Sequence, residues 1–195
     1  MPHAWRGYWR LYAPAGFTLF ALNGTAIALI PADAVTVFHT TNPLWAGMLL
    51  FLVLGGGGVA QLSPWPVDVQ QRLRWGLASL LGGAWLMISA GFWNIPGLLW
   101  GGMALQALGS GWSFRAALYG VTHLTDSSVT ATMVSFFYMA AYCGMILPVL
   151  FTGWITDFWG LPVALGVLGV FLTLIGLRTL HQSQAMAMGS SALTE

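Results

Sequence analysis

Six apolar stretches, each near the roughly 20 residues that a helix needs to cross a hydrocarbon core of about 30 Å, follow one another with only short polar breaks. They lie at about Leu11 to Phe38, Leu44 to Leu62, Leu73 to Trp93, Ile95 to Val121, Val129 to Thr152 and Leu161 to Leu180. A helix that faces water must carry a polar stripe, and these segments have almost nothing to build one from. Charged residues are 6% of the 195 and apolar residues 57%, against roughly 25% charged in an ordinary soluble domain. The chain is therefore predicted to be an all-α membrane protein, a six-transmembrane-helix bundle in a lipid bilayer.

The breaks carry turn chemistry: Thr40-Thr41-Asn42-Pro43, Ser63-Pro64-Trp65-Pro66, Asn94-Ile95-Pro96, Thr125-Asp126-Ser127-Ser128 and Asp157 to Pro162. The first apolar run is far longer than the roughly 7–15 residues of a cleavable signal segment, so it is expected to remain as the first span. Residues 1–10 are expected to form a cytoplasmic N-terminal segment, 11–180 the transmembrane domain and 181–195 a disordered cytoplasmic tail.

Orientation follows from the arginines, which cytoplasmic flanks retain. Arg6 and Arg10 precede the first span, Arg72 and Arg74 lie between the second and third, Arg115 falls late in the fourth and Arg178 closes the sixth. With six spans all of these fall on one face, whereas the opposite loops carry His39, Asn94 and Asp157 but no Lys or Arg. Both termini are predicted inside. Tryptophans flank both boundaries: Trp5, Trp9, Trp65 and Trp75 inside, and Trp45, Trp93, Trp154 and Trp159 outside.

Several function classes find no residues to carry them. A net charge of +1 gives no basic stripe for nucleic acid. Cys143 is the single thiol, and the histidines at 3, 39, 123 and 181 form no helical pair, so neither a disulfide framework nor a metal site is expected. No phosphate-binding or dinucleotide fingerprint is present, and no cofactor is expected. Ser113 lacks the following glycine of an intramembrane serine protease, and His123 falls in an inner loop, too shallow to activate it. An enzyme is not expected.

Glycine is frequent, 25 residues, and clustered within the spans at Gly55 to Gly58, Gly82-Gly83, Gly101-Gly102 and Gly109-Ser110-Gly111. Small residues let helices approach closely where packing replaces the hydrophobic effect, so these are expected contact faces. The run of four also allows a bend in the second span.

The stretch from Gly109 to Leu165 contains Phe114-Arg115, Asp126, Phe137-Tyr138, Tyr142-x-Gly144-x-x-x-Pro148 and Asp157-x-x-Gly160. At the start, Tyr8-Trp9-Arg10 leads into a helix reaching Pro31, and Ala46-Gly47 opens a second that ends near Gln61. Over residues 8 to 180 the chain resembles the C-terminal six-helix half of bacterial major facilitator superfamily transporters, which implies a bacterial cytoplasmic (inner) membrane. That resemblance implies half of such a fold, built as 3+3 helix repeats, and transmembrane transport of a small-molecule substrate by alternating access against a second half. The second half would come from a homodimer or a separately encoded N-terminal half, because the substrate site of such folds lies between repeats. The loop from Gln61 to Val69 lacks the family's Gly-x-x-x-Asp-Arg-x-Gly-Arg type pattern. The alternative is a truncated or accessory membrane subunit with no transport of its own.

Polar groups inside lipid are costly and so are candidates for function. Asn23, Gln106, Tyr138 and Tyr142 are candidates for lining a substrate cavity; Asn23 could equally bond a neighbouring helix, and the two tyrosines, four apart, could equally be packing residues. Asp33, Arg115, Gly144 and Pro148 are candidates for coupling or gating. Asp33 is either a protonatable carboxylate or a water-exposed helix end. Arg115 is either an anchor at the interface or one partner of an ion pair with the second half. Pro148 removes the backbone bond to Gly144, where a kink is expected.

Overall fold

The computed structural model describes the backbone of residues 3–64, 68–123 and 129–191, and within these all side chains except those of 3–10, 32–33, 161–162 and 184–191. Six helices follow in order: α1 His3–Phe38, α2 Pro43–Leu62, α3 Val69–Trp93, α4 Pro96–His123, α5 Thr130–Trp159 and α6 Leu161–Ser191. The turn residues set their ends. Asn42 caps α2, its side chain accepting from the Leu44 amide at 3.0 Å with Pro43 at the first helical position. Asp68 caps α3 by accepting from the Gln71 amide at 2.9 Å. Asn94 ends α3 in the left-handed conformation at φ 51°, and Gly160 ends α5 at φ 81°.

Three boundaries lie outside the expected ones, the first being the end of α5, which runs on past Thr152 through Asp157 to Trp159 and stops only at Gly160. Helix α1 already begins at His3, so most of segment 1–10 belongs to it, because polar residues without a breaker do not stop a helix. Helix α6 continues past Leu180 to Ser191 through Gln, Ala and Met, all good helix formers, where a disordered tail was expected. Helix α2 runs unbroken through Gly55 to Gly58, and α5 runs unbroken through Pro148.

Helices α1 and α4 form the middle of the bundle. Helix α1 touches all five others; α4 packs most extensively on α3, then on α2 and α1. Helix α5 rests mainly on α1, and α6 closes the far side against α3, α5 and α1. The α3–α4 contact is a crossing of backbones. A Cβ on Gly83 would lie 2.7 Å from the Gly102 carbonyl oxygen, and one on Gly109 would lie 2.6 Å from both the Gly76 oxygen and the Leu80 nitrogen. On its other side α4 meets α2, where a Cβ on Gly57 would lie 2.8 Å from Ser110 Oγ and Gly111 faces the Gly57 carbonyl. Of the four successive glycines only Gly56 and Gly57 meet α4; Gly58 has open space around it.

Five of the helices are long and apolar enough to cross a membrane, among the described residues. The exception is α4, which is long enough at 28 residues but is diluted by glycines and by Gln106, Ser110, Ser113 and Arg115. Gln106, Ser110 and Ser113 are all buried, so the least apolar helix is also one of the best covered. The bundle's outside is the reverse: Phe51, Val59, Leu62, Leu150 and Leu174 are each more than half exposed. So much uncovered apolar surface is foreign to a soluble monomer and matches a multi-pass membrane protein.

Gly109→Ala should destabilise the bundle by about 1–3 kcal/mol, since its new methyl meets backbone that cannot step aside. Gly58→Ala should be neutral or stabilising by up to about 1 kcal/mol. Thermal unfolding of both variants in the same detergent separates them, and equal effects would refute the packing described here.

Candidate functional site

Two buried apolar clusters divide the bundle along its axis. One gathers Leu11, Leu19, Leu73, Leu77, Leu80 and Phe137; the other gathers Ile30, Leu49, Val53, Leu99 and Met103. Asn23 of α1 and Gln106 of α4 fall between them. Gln106 is 1% exposed, and its Nε2 donates to Asn23 Oδ1 at 3.4 Å. Its Oε1 is buried with no hydrogen-bond partner. An orphaned buried acceptor costs about 1–3 kcal/mol, so this oxygen is a place where the protein is incomplete.

Tyr138 and Tyr142 lie one turn apart on α5, with ring centroids 6.1 Å apart and planes at 28°. Tyr142 meets Phe20 of α1 edge-on at 6.1 Å, and Phe20 meets Phe114 of α4 at 6.3 Å. The rings make a ladder across three helices, with Tyr142 55% exposed at its edge. Phe20 precedes Asn23 by one helical turn, so α1 carries the aromatic ladder and the amide pair on adjacent turns. The four cavity candidates thus form two neighbouring pairs, one of buried Gln106 with half-buried Asn23 and one of half-buried Tyr138 with exposed Tyr142.

Among the described residues the arginines gather at one end. Arg115 donates to the backbone carbonyl of Gln61 and, at 3.4 Å, to that of Ser63. The Gln61 carbonyl lies in the last turn of α2, at the negative end of the helix dipole with no intrahelical partner, and Ser63 is the C-cap residue just beyond it. Arg72 donates to the Pro64 carbonyl at 3.1 Å. Arg74 grips Ser183 of α6 through both Oγ, at 3.0 Å, and the carbonyl, at 2.9 Å. The sequence offered Arg115 as an anchor or as half of an ion pair; the structure sets it as a cap on α2. The opposite end carries Phe38 stacked on Trp45 at 4.6 Å, and an exposed group of Trp154, Phe158 and Trp159.

Gly144 and Pro148 share the buried face of α5, where Gly144 lies against the backbone of Phe17 and sets how closely α1 and α5 approach. Asp33 is on α1, and its side chain lies outside the described residues, as do those of Trp5, Arg6, Trp9 and Arg10. Trp65 and Asp126 lie outside them too. Ser113 packs against Gly76 at the α3–α4 crossing. His123 stacks on Tyr119 at 4.2 Å, about 15 Å along α4 from Ser113. Sequence reasoning missed the arginine bonds to Pro64 and Ser183, whose only signal was the position of charge at helix ends. It also missed Thr25, a mid-span hydroxyl that bonds the Ala21 carbonyl at 2.8 Å. Neither a protein-family model, nor a curated protein, nor a solved structure matches this chain, so its functional reading rests on residues and packing alone.

Two substitutions of the amide pair should act with opposite sign. Gln106→Leu removes the orphaned oxygen and forfeits a bond worth about 0.6 kcal/mol, so it should be neutral or stabilising by up to about 2 kcal/mol. Asn23→Leu leaves the whole Gln106 amide unpartnered and should destabilise by about 1 kcal/mol or more. Melting temperatures of the two variants decide it. At the arginine end, Arg115→Gln should cost about 0.3–1 kcal/mol and speed amide hydrogen exchange in the last turn of α2. Exchange unchanged there would mean that the cap contributes nothing.

Proposed function

We propose that this chain is one six-helix half of a major-facilitator-type secondary transporter, which moves a small solute by alternating access against a second half. The observation that carries the reading is cross-packing between the first three helices and the last three. Helix α2 rests on α4 and α5 rests on α1. Exchanging α1 with α4, α2 with α5 and α3 with α6 turns one contact into the other, and likewise turns α1–α2 into α4–α5. A 3+3 repeat has this pattern. The repeat is inexact, because α3 packs far more closely on α4 than α6 does on α1.

Helix α4 counts as the sixth span in this reading. It runs beside α3 through both glycine pairs, so a bilayer crossed by α3 also encloses α4. The arginine end faces the cytoplasm of a bacterial inner membrane, with both termini there. The aromatic ladder of Phe114, Phe20, Tyr138 and Tyr142, exposed at its Tyr142 edge, faces the second half, a further copy or a separately encoded N-terminal half. The solute is held between them.

One observation favours a second reading, a truncated or accessory membrane subunit without transport of its own. Arg115 is committed to the carbonyls of Gln61 and Ser63, which leaves it poorly placed to form and break an ion pair with a partner's acid.

Light scattering of protein extracted in mild detergent, with the detergent contribution subtracted, tests the choice. A dimer, or a stoichiometric complex with another six-helix chain, is the expected result. A monomer whose stability responds to no solute would overturn the transporter reading and leave the accessory subunit.

A further inference from the structure

A groove of about 300 Å³ lies between α1 and α5, toward the arginine-free end of the bundle. On α5 it steps one turn at a time from Val149 through Gly153 to Asp157, a rise of about 12 Å along one face of the helix. Ala28 and Leu29 of α1 line the other wall. Among the lining side chains three threonine hydroxyls carry a hydrogen to give, and each is already given to the carbonyl one turn back: Thr25 to Ala21 at 2.8 Å, Thr152 to Pro148 at 2.7 Å and Thr156 to Thr152 at 2.7 Å. Asp157 is exposed, lines the groove and makes no hydrogen bond or ion pair with any described residue. It sits in the last turn of α5, where unpaired carbonyls carry the negative end of the helix dipole. Carboxylate and helix end therefore add their charge instead of cancelling it. The chain has no Lys, and Arg72, Arg74 and Arg115 are committed to carbonyls at the other end.

We propose that this groove binds a small organic cation, with a primary ammonium group at Asp157 and an apolar body lying along Ala28, Leu29 and Val149. A water position takes about 10–15 Å³ by this measure, so about 300 Å³ is far more than a metal ion fills. A metal ion also needs several ligands, and no group of three His, Cys, Asp or Glu able to hold one occurs among the described residues. An anion would meet a like charge and no side-chain donor. A neutral solute suits the apolar walls but leaves the carboxylate without a counter-charge. An exposed ion pair is weak, so the carboxylate contributes a few-fold in affinity and burial of the apolar body the rest. The groove lies within one six-helix unit, so the binding needs no second half and stands apart from the transport reading.

The test uses the full chain in phosphatidylcholine nanodiscs with ¹³C-methyl alanine, following the β-methyl resonance of Ala28, which is exposed in the groove and is assigned by its disappearance in Ala28→Ser. Two probes with one carbon skeleton are titrated at neutral pH: 2-phenylethylammonium, and 2-phenylethanol, which is uncharged. The expected result is a saturable Ala28 shift with the cation at a concentration about threefold to fivefold below that needed for the alcohol. In Asp157→Asn this preference should vanish. Phosphatidylethanolamine carries the same ammonium group, so the titration is repeated with that lipid in the disc. A weakened response to the free cation then assigns the site to a lipid headgroup and an unchanged response to a soluble amine, each of them an ammonium at Asp157. An equal or weaker response to the cation than to the alcohol in the native protein would overturn the proposal, as would the absence of any saturable shift. A preference that survives in folded Asp157→Asn would overturn the role given to its carboxylate. Should that variant not fold, the comparison of cation with alcohol in the native chain still decides.

Discussion

The bundle depends on how closely α4 can approach its neighbours. Gly76 and Gly83 on α3 face Gly109 and Gly102 on α4 at distances that leave no room for a methyl group. In a bilayer the apolar effect gives helices no reason to prefer each other over lipid, so such backbone approach and the dispersion it gains must supply the adhesion. Because α4 is gripped in this way by α3 and α2, it need not be apolar enough for lipid. That freedom is what allows Gln106, Ser110 and Ser113 to sit in the middle of the molecule.

From this central helix the remaining features follow as a series of polar commitments. At one end, arginines bind the carbonyls of Gln61, Ser63 and Pro64 and tie α3 to Ser183, so charge serves to finish helix ends and hold the α2–α3 turn. Midway, the amide of Gln106 reaches α1 through Asn23 and leaves one oxygen buried without a hydrogen-bond partner. One turn away on α1, Phe20 joins the ring ladder that leads to exposed Tyr142. The amide pair and the aromatic ladder thus share a helix that touches every other.

Much of the architecture was legible in local chemistry. Asn42-Pro43, Asp68, Asn94 and Gly160 each act at a helix end, and the apolar runs between them are the helices. The glycine clusters marked close contact, but no local signal says that Gly83 meets Gly102 or that Gly58 meets nothing. Partner choice is a tertiary property. The same limit hid Asn23 as the partner of Gln106, 83 residues away, and the carbonyl of Gln61 as the partner of Arg115, 54 residues away. Helix α6 outran its expected end because apolarity stops at the membrane boundary while helix propensity does not.

Whether α4 crosses the membrane beside α3 is the point on which the bundle, its buried amide and its two ends all turn. Single cysteines at Ile95→Cys, in the turn between α3 and α4, and at His123→Cys, at the far end of α4, can be probed in sealed vesicles after Cys143→Ser removes the native thiol. A membrane-impermeant maleimide applied from each side reports which face each position occupies. Labelling of the two positions from opposite sides is expected. Labelling of both from the same side would contradict a spanning α4, and with it the placement of Gln106 inside the bilayer.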